Sequence, residues 1–358
     1  MNDQLRTGAV DVDIVLHCLP PSIRDKLKDA GFRSDSDLVG IQPLELASEA
    51  NMTHEDALLV LKSLSTSDSD ALRTAQSARD IYEREQRSKC IVTFSMDLDR
   101  VLGGGIRTGQ MTEFCGAPGI GKTQIGMQLA VNVQVPLSFN GLEGEAVYID
   151  TEGSFAPQRC LAMATAFCKH LEKVAVARND AVRISDAQKL DPHDILERIH
   201  YFRVRDSTEQ LAVVETLQSF IASHPKVKVI IIDSIAFHFR QDFDDMSLRT
   251  RRLSQMAQTL MSIAHTHDIA IVLMNHVTTK ILGEGKSRIV PALGDSWAHA
   301  ATNRLICYWK DRKRYAFLFK SPHLPAAAAE FRISKDGVRT AKTSQPGTKR
   351  PYEESKPS

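Results

Sequence analysis

The chain has 358 residues, 42% of them hydrophobic and 25% charged, and its formal net charge is +1. That length accommodates one large α/β core with a smaller domain, the composition is that of a soluble globular protein, and the near-neutral balance excludes a broad basic footprint, so any nucleic-acid contact has to come from local loops. Six cysteines (Cys18, Cys90, Cys115, Cys160, Cys168 and Cys307) form no CxxC pair or zinc-ligand spacing and read as free thiols of a reducing compartment; the polar, acidic first residues are unlike a signal peptide, and no apolar run approaches the roughly 20 residues of a membrane helix.

In chain order, residues 1–64 contain a small all-helical domain. Pro20-Pro21 opens a helix, where a missing N–H costs little, Ile23, Leu27 and Ala30 follow at helical spacing, and Gly31 ends it. Leu38, Leu44, Leu46, Ala57, Leu58, Leu61 and Leu64 supply further short apolar faces. Glu49–Ala57 resembles the second turn of a helix-hairpin-helix without its glycines, which leaves DNA contact and plain helical packing both open. Residues 65–90 carry many charges and few bulky apolar groups and read as a partly helical linker. Residues 341–358, rich in Ser, Pro and Lys, read as a disordered tail in which Lys349-Arg350-Pro351 is a poor fragment of a nuclear signal.

Between them, 91–340 alternates short β-rich runs with longer amphipathic ones. Strands are predicted at Met111–Cys115, Ala146–Asp150, Ile199–Val204, Val227–Asp233 and Ile269–Asn275, and helices at 122–133, 157–175, 208–223 and 247–266. Strands separated by helices imply crossovers and a mainly parallel sheet. After 300, Arg304–Trp309, Tyr315–Lys320 and Glu330–Ser334 read as strands joined by short turns, an antiparallel extension at one edge.

Gly116-Ala117-Pro118-Gly119-Ile120-Gly121-Lys122-Thr123 fits the phosphate-binding pattern G-x-x-x-x-G-K-[ST] at every fixed position, between a strand and a helix. The glycines let backbone N–H groups wrap a polyphosphate, Lys122 should reach the β and γ phosphates of ATP, and the Thr123 hydroxyl should hold Mg²⁺. Val227–Ile232 is an aliphatic strand ending in Asp233, an acid able to orient the same Mg²⁺. Asp150-Thr151-Glu152-Gly153 ends another strand at the same edge. Glu152 is either the acceptor for the attacking water or part of a helix-capping cluster.

These motifs, with Leu102–Ile106, Ala146–Phe155 and Ser321-Pro322, resemble the RecA/RadA-like recombinase family over about 10–340, and more closely a paralogue group of its eukaryotic branch, as do Phe114–Pro118 and Phe239–Arg251. The resemblance implies a RecA-like P-loop ATPase core, Glu152 and Lys122 as catalytic groups, and Arg159 stacked on the adenine. It implies a first DNA-binding loop over 238–252 (Arg240, Arg249, Arg251, Arg252) and a second over about 277–291 (Lys280, Lys286, Arg288). It further implies docking on neighbouring protomers through Leu72 and Ala75 of a degenerate Phe-x-x-Ala motif and through Lys320, Ser321 and Pro322.

Several residues depart from the family pattern. Asp242, Asp244 and Asp245 dilute the first loop, the second has no aromatic residue, His276 stands where the family has a glutamine that senses the γ-phosphate, and Lys320 where filament formers have an aspartate. The expectation is an ATP- and Mg²⁺-dependent, slowly hydrolysing subunit in the nucleus, with some cytoplasmic pool. It would assemble with sister paralogues on single-stranded or branched DNA in homologous-recombination repair, away from membranes. The alternatives are a strand-exchange recombinase forming its own filament, or a structural ATP-binding subunit without turnover.

Overall fold

A computed structural model describes residues 19–32, 35–38, 41–65, 77–243, 245–283 and 286–341. Leu72, Ala75, Asp244 and the tail from 342 lie outside the described residues, as do the side chains of Leu64, Lys280, Lys286 and Arg288. The chain divides into two compact units, Met1–Arg87 and Ser88–Ser358.

The first unit contains α1 (Pro21–Asp29), a short 3₁₀ turn (Asp35–Leu38), α2 (Pro43–Glu49), α3 (His54–Ser65) and α4 (Ala78–Arg87). Proline occupies the first position of α1 and α2, where its fixed φ suits a helix start. Leu19, Ile23, Leu27, Leu38, Leu46, Ala57 and Val60 form its small core. Leu44 and Leu58, read from the sequence as core-facing, are instead 72% and 46% exposed. Leu46 and Ala57 already fill the inward positions of these short helices, and their neighbours turn to the other face.

The second unit runs β1 (Cys90–Ile91), α5 (Met96–Val101), β2 (Ile106–Arg107), β3 (Met111–Gly116), α6 (Lys122–Asn132), β4 (Glu145–Asp150), α7 (Pro157–Arg178), α8 (Ala181–Gln188), α9 (Pro192–Glu197), β5 (Ile199–Arg203), α10 (Ser207–Ser223), β6 (Val227–Asp233), α11 (Phe237–Gln241), α12 (Met246–His267), β7 (Ala270–Asn275), β8 (Val277–Gly283), β9 (Lys286–Pro291), α13 (Gly294–Trp297), β10 (Asn303–Lys310), β11 (Lys313–Lys320), β12 (Ala328–Ser334) and β13 (Gly337–Thr340). Nine strands form one sheet in the order β13-β12-β11-β10-β3-β7-β6-β4-β5. Every pair from β10 to β5 is parallel, and β10 to β13 are antiparallel. The sheet is thus the mainly parallel α/β core, with its antiparallel extension, that the alternation of patterns implies.

Alternation along the strands divides the apolar residues between two faces. Val229 and Ile231 of β6 join Tyr148, Val272 and Met274 under α6 and α7. Ile230 and Ile232 join Ile149, Ile271 and Leu273 under α10 and α12. β6 is covered on both faces, so it reads as a continuous aliphatic run, and each fully buried Ile contributes about 1.5–3 kcal/mol. Aspartates cap four of the helices. Asp180, Asp191, Asp206 and Asp245 accept N–H bonds at the starts of α8, α9, α10 and α12. Among the described residues, no helix is long and apolar enough to cross a membrane.

Candidate functional site

The loop between β3 and α6 is built by its glycines. Gly119 and Gly121 sit at φ +77° and +109°, which side-chain-bearing residues rarely adopt, and a Cβ added at Gly119 would meet nothing within 4 Å. That open backbone cradle, continuing into the N-terminus of α6, fits a polyphosphate. The Arg314 guanidinium braces the loop from β11 by donating Nε to the Ile120 carbonyl at 3.1 Å. Gly116 is required for packing, because a Cβ there would lie 2.9 Å from both the Cys307 carbonyl oxygen and the Ile120 side chain.

The parallel strands bring three acids and a lysine to one edge. Lys122 Nζ donates to the Gly116 and Ala117 carbonyls at 2.9 and 3.2 Å. Burial lowers its pKa, against the opposing charges of Asp233 and Glu152. At the end of β6, Asp233 is buried and accepts from the Tyr148 hydroxyl at 2.8 Å and from the Thr123 hydroxyl. Burial raises its pKa, and the hydrogen bonds from Thr123 and Tyr148 pull it back. Thr123 and Asp233 are therefore adjacent oxygen donors beside the cradle, the chemistry that suits Mg²⁺.

Asp150 resolves part of the ambiguity at Glu152. Its Oδ1 accepts from the backbone N–H groups of Glu152, Gly153 and Ser154 at 3.1, 2.7 and 3.2 Å, and its Oδ2 from Phe155 N–H at 3.1 Å. Asp150 thus anchors the turn, whereas α7 begins beyond it at Ala156 without a side-chain cap. The Glu152 side chain is left facing the cradle. Thr151 ties β4 to β6 through its hydroxyl, which donates to the Ser234 carbonyl and accepts from Ser234 N–H, both at 2.8 Å. Burial acts to raise Glu152, but hydrogen bonds from His276 and Ser234 and the charges of His276 and Lys122 outweigh it and hold its carboxyl below the usual range. The approach of His276 Nε2 to 2.6 Å from Glu152 Oε1 was missed from the sequence, since 124 residues separate the two.

Other predicted residues fall differently. Arg159 is held by Gln124 Oε1 at 2.7 Å and by the Ser334 carbonyl at 2.6 Å, which fixes its guanidinium between α6 and the β12–β13 turn. Lys320 is half-buried at the end of β11. Its Nζ donates to the Ala298, His299 and Ala301 carbonyls at 3.1, 3.3 and 2.7 Å, closing the turns after α13. Ser321 Oγ accepts from Leu324 N–H at 3.2 Å in a turn that leaves Pro322 exposed.

In the first predicted DNA loop, Arg240, Arg251 and Arg252 are exposed, but Arg249 is half-buried with Nε donating to the Phe239 carbonyl at 2.7 Å. Burial, and then the neighbouring Arg240, lower its pKa. The loop's acids have structural work: Asp242 accepts from Ser207 N–H at 2.9 Å, and Asp245 caps α12. The second loop is the β8–β9 hairpin, in which Lys280 pairs with Arg288 along the backbone.

A family model described as Rad51 matches residues 84–181 and 175–341. DNA repair protein RAD51 homolog 3 of Cricetulus griseus is 43% identical over 338 residues, 92% of this chain and 92% of that protein. The protein of the same name from Dictyostelium discoideum is 42% identical over 250 residues, 70% of this chain and 65% of that one. DNA repair and recombination protein RadA of Metallosphaera sedula is 31% identical over 325 residues, 89% of this chain and 93% of that one. Fold, strand-edge site and a family model spanning most of the sequence agree, and the chain belongs to the Rad51 family.

Proposed function

We propose that this protein is an ATP-hydrolysing, DNA-binding subunit of a recombinase-paralogue complex in homologous-recombination repair, working in the nucleus. The observation that carries the reading is the convergence of Lys122, Thr123 with Asp233, and Glu152 around one glycine cradle at the ends of β3, β4 and β6. The DNA-repair names of relatives alignable over most of the chain support the process.

Residues Gly116–Thr123 bind the phosphates through backbone N–H groups, and Lys122 exchanges its carbonyl partners for the terminal phosphates. Thr123 and Asp233 hold Mg²⁺, which supplies charge neutralisation at the phosphates when bound. Glu152 orients the attacking water and accepts its proton. Burial acts to raise its carboxyl, but hydrogen bonds from His276 and Ser234 hold it below the usual range, so Glu152 is ionised at neutral pH and available as an acceptor. Arg159 flanks the adenine. Arg240, Arg251 and Arg252, with Lys280, Lys286 and Arg288 of the hairpin, meet single-stranded or branched DNA. Arg249 shapes the loop and does not reach out from it. Leu72, Ala75, Ser321 and Pro322 meet sister paralogues.

The test pairs Lys122→Ala with Glu152→Gln. The first is expected to abolish calorimetric ATP binding, and the second to retain binding and lose most hydrolysis. Equal ATP affinity in wild type and Lys122→Ala refutes the site.

A further inference from the structure

Packing fixes the Cα atoms at the apex of the phosphate loop and leaves one of its peptides able to turn. Ile120 is fully buried, with its side chain against Gly116. Gly121 lies so close to β12 that a Cβ on it would collide with the Ile333 side chain. Two consecutive Cα positions are thereby pinned. The peptide plane between them is not, because glycine accepts a large φ change at little cost and Gly121 already sits at φ +109°. In a trans peptide the carbonyl and the following N–H point to opposite sides. The group that holds the Ile120 carbonyl therefore aims the Gly121 N–H.

That group is Arg314, whose Nε donates to the Ile120 carbonyl at 3.1 Å from β11. The guanidinium is itself held by Trp309 of β10, stacked 4.3 Å from the ring centroid. Trp309 and Arg314 are direct cross-strand partners. Their register is set by a two-residue turn whose central residues, Asp311 and Arg312, adopt φ +50° and +60°, the left-handed pair that matches the twist of a tight hairpin. Trp309 is 46% exposed, so its ring serves the guanidinium more than the core.

We propose that Arg314 is a positioning residue for the phosphate loop: it holds the Ile120–Gly121 peptide with its N–H turned toward the cradle, and Trp309 holds Arg314 in place. The proposal rests on the ATPase reading above. Without this clamp the peptide exchanges between two orientations. One presents an N–H to a phosphate, and the other presents a carbonyl oxygen, which repels it. Only the first binds nucleotide, so apparent affinity falls in proportion to the fraction of chains that hold it. A bound phosphate then keeps the N–H inward by itself, which places the effect on KM and spares kcat. Attraction of the phosphates by the Arg314 charge alone is a different account, and Trp309 separates the two. Removing the indole leaves the charge in the protein and frees the guanidinium from its orientation.

The experiment uses the full chain, labelled with ¹³C at isoleucine carbonyls and ¹⁵N at glycine. The sequence has two Ile-Gly pairs, Ile120–Gly121 and Ile125–Gly126, so a carbonyl-to-amide NMR spectrum holds two signals, and Ile125→Val removes the second. Spectra, calorimetric affinity for ATP and ADP, and kcat and KM for ATP are measured for wild type, Arg314→Met, Trp309→Ala and Trp309→Phe. In Arg314→Met the Ile120–Gly121 signal should shift or split, while the Ile125–Gly126 signal, inside α6, stays in place and reports an intact core. Affinity for both nucleotides should fall by about tenfold, with KM rising in step and kcat within about twofold of wild type. Trp309→Ala should give the same pattern at about threefold, and Trp309→Phe, which keeps an aromatic face, should behave as wild type. An unmoved Ile120–Gly121 signal in Arg314→Met overturns the proposal, as does a loss of kcat at unchanged KM, or a Trp309→Ala protein that binds ATP as tightly as wild type. If Arg314→Met displaces both signals, Trp309→Ala decides. Absence of ATP binding by wild type overturns the ATPase reading instead, and leaves the Ile120–Gly121 signal to decide the clamp.

Discussion

Glu113 of β3 is fully buried, and its charge is matched by Arg304 of β10, only 3% exposed. Glu113 Oε2 accepts from Arg304 Nε, and Oε1 accepts from Asn275 Nδ2 at 2.7 Å and Trp297 Nε1 at 2.8 Å. One carboxylate thereby ties three sheet strands to α13, directly beneath the hairpin base. Glu113→Gln keeps an acceptor for Asn275 and Trp297 but turns an amide N–H₂ toward the guanidinium, leaving a buried cation without its anion. Breaking such a pair from one side costs about 3–5 kcal/mol. At about 2–4 °C per kcal/mol for a unit of this size, the melting temperature should fall by roughly 6–20 °C. Urea unfolding followed by tryptophan fluorescence reads the change directly, because Trp297 is one of only two tryptophans. The double variant Glu113→Leu with Arg304→Met should be more stable than Glu113→Gln alone, since it removes both charges. A Glu113→Gln protein within about 1 kcal/mol of wild type refutes the argument, because no buried one-sided charge comes that cheaply.

Lys320→Met removes three carbonyl acceptors' shared donor and should lower stability by about 1–3 kcal/mol; unchanged thermal unfolding would mean the ammonium is spare and available to a neighbour. Burial raises Asp99 to about 6, against hydrogen bonds from Thr93. The folded chain therefore holds this proton more tightly than the unfolded chain does, and the ionised group costs up to about 3 kcal/mol at pH 7, a cost that fades as pH falls from about 6 toward 4. Asp99→Asn, which keeps an acceptor for Thr93 N–H, should be more stable than wild type at pH 7 and converge with it near pH 4; identical melting curves at both pH values refute this. Arg251→Ala with Arg252→Ala should lower the salt slope of oligo-dT binding by about 1.4, at about 0.7 per phosphate contact on single strands, and an unchanged slope puts the DNA contact elsewhere. Asp245→Ala should cost about 1 kcal/mol through the lost α12 cap, checked by urea unfolding, with no loss expected if Ser247 and Leu248 N–H groups bond to water equally well.

The phosphate loop, the strand ending in Asp233 and the alternation of strands with helices were legible in the sequence because each is local. A glycine-rich turn, an aliphatic run buried on both faces and an amphipathic period are consequences of backbone sterics and burial that neighbouring residues express together. The strand β13, the short helices α5, α8 and α9, and the pairing of β8 with β9 left weaker marks. They are short, and their apolar positions are decided by what lies across from them.

Only the tertiary structure decided which polar groups meet. The sequence contained Glu152 as a candidate proton acceptor and His276 as an unconnected departure from the family pattern, and Lys320 and Arg249 as cations of apparent reach. The parallel sheet brings β4 and β7 to the same edge and so sets an imidazole on the carboxylate, while the turns after α13 and the carbonyl of Phe239 take up the two cations within the chain. Residues far apart in sequence meet through packing of the whole core, and a buried or half-buried charge takes whichever partner that packing supplies, because leaving it without one costs more than any local preference.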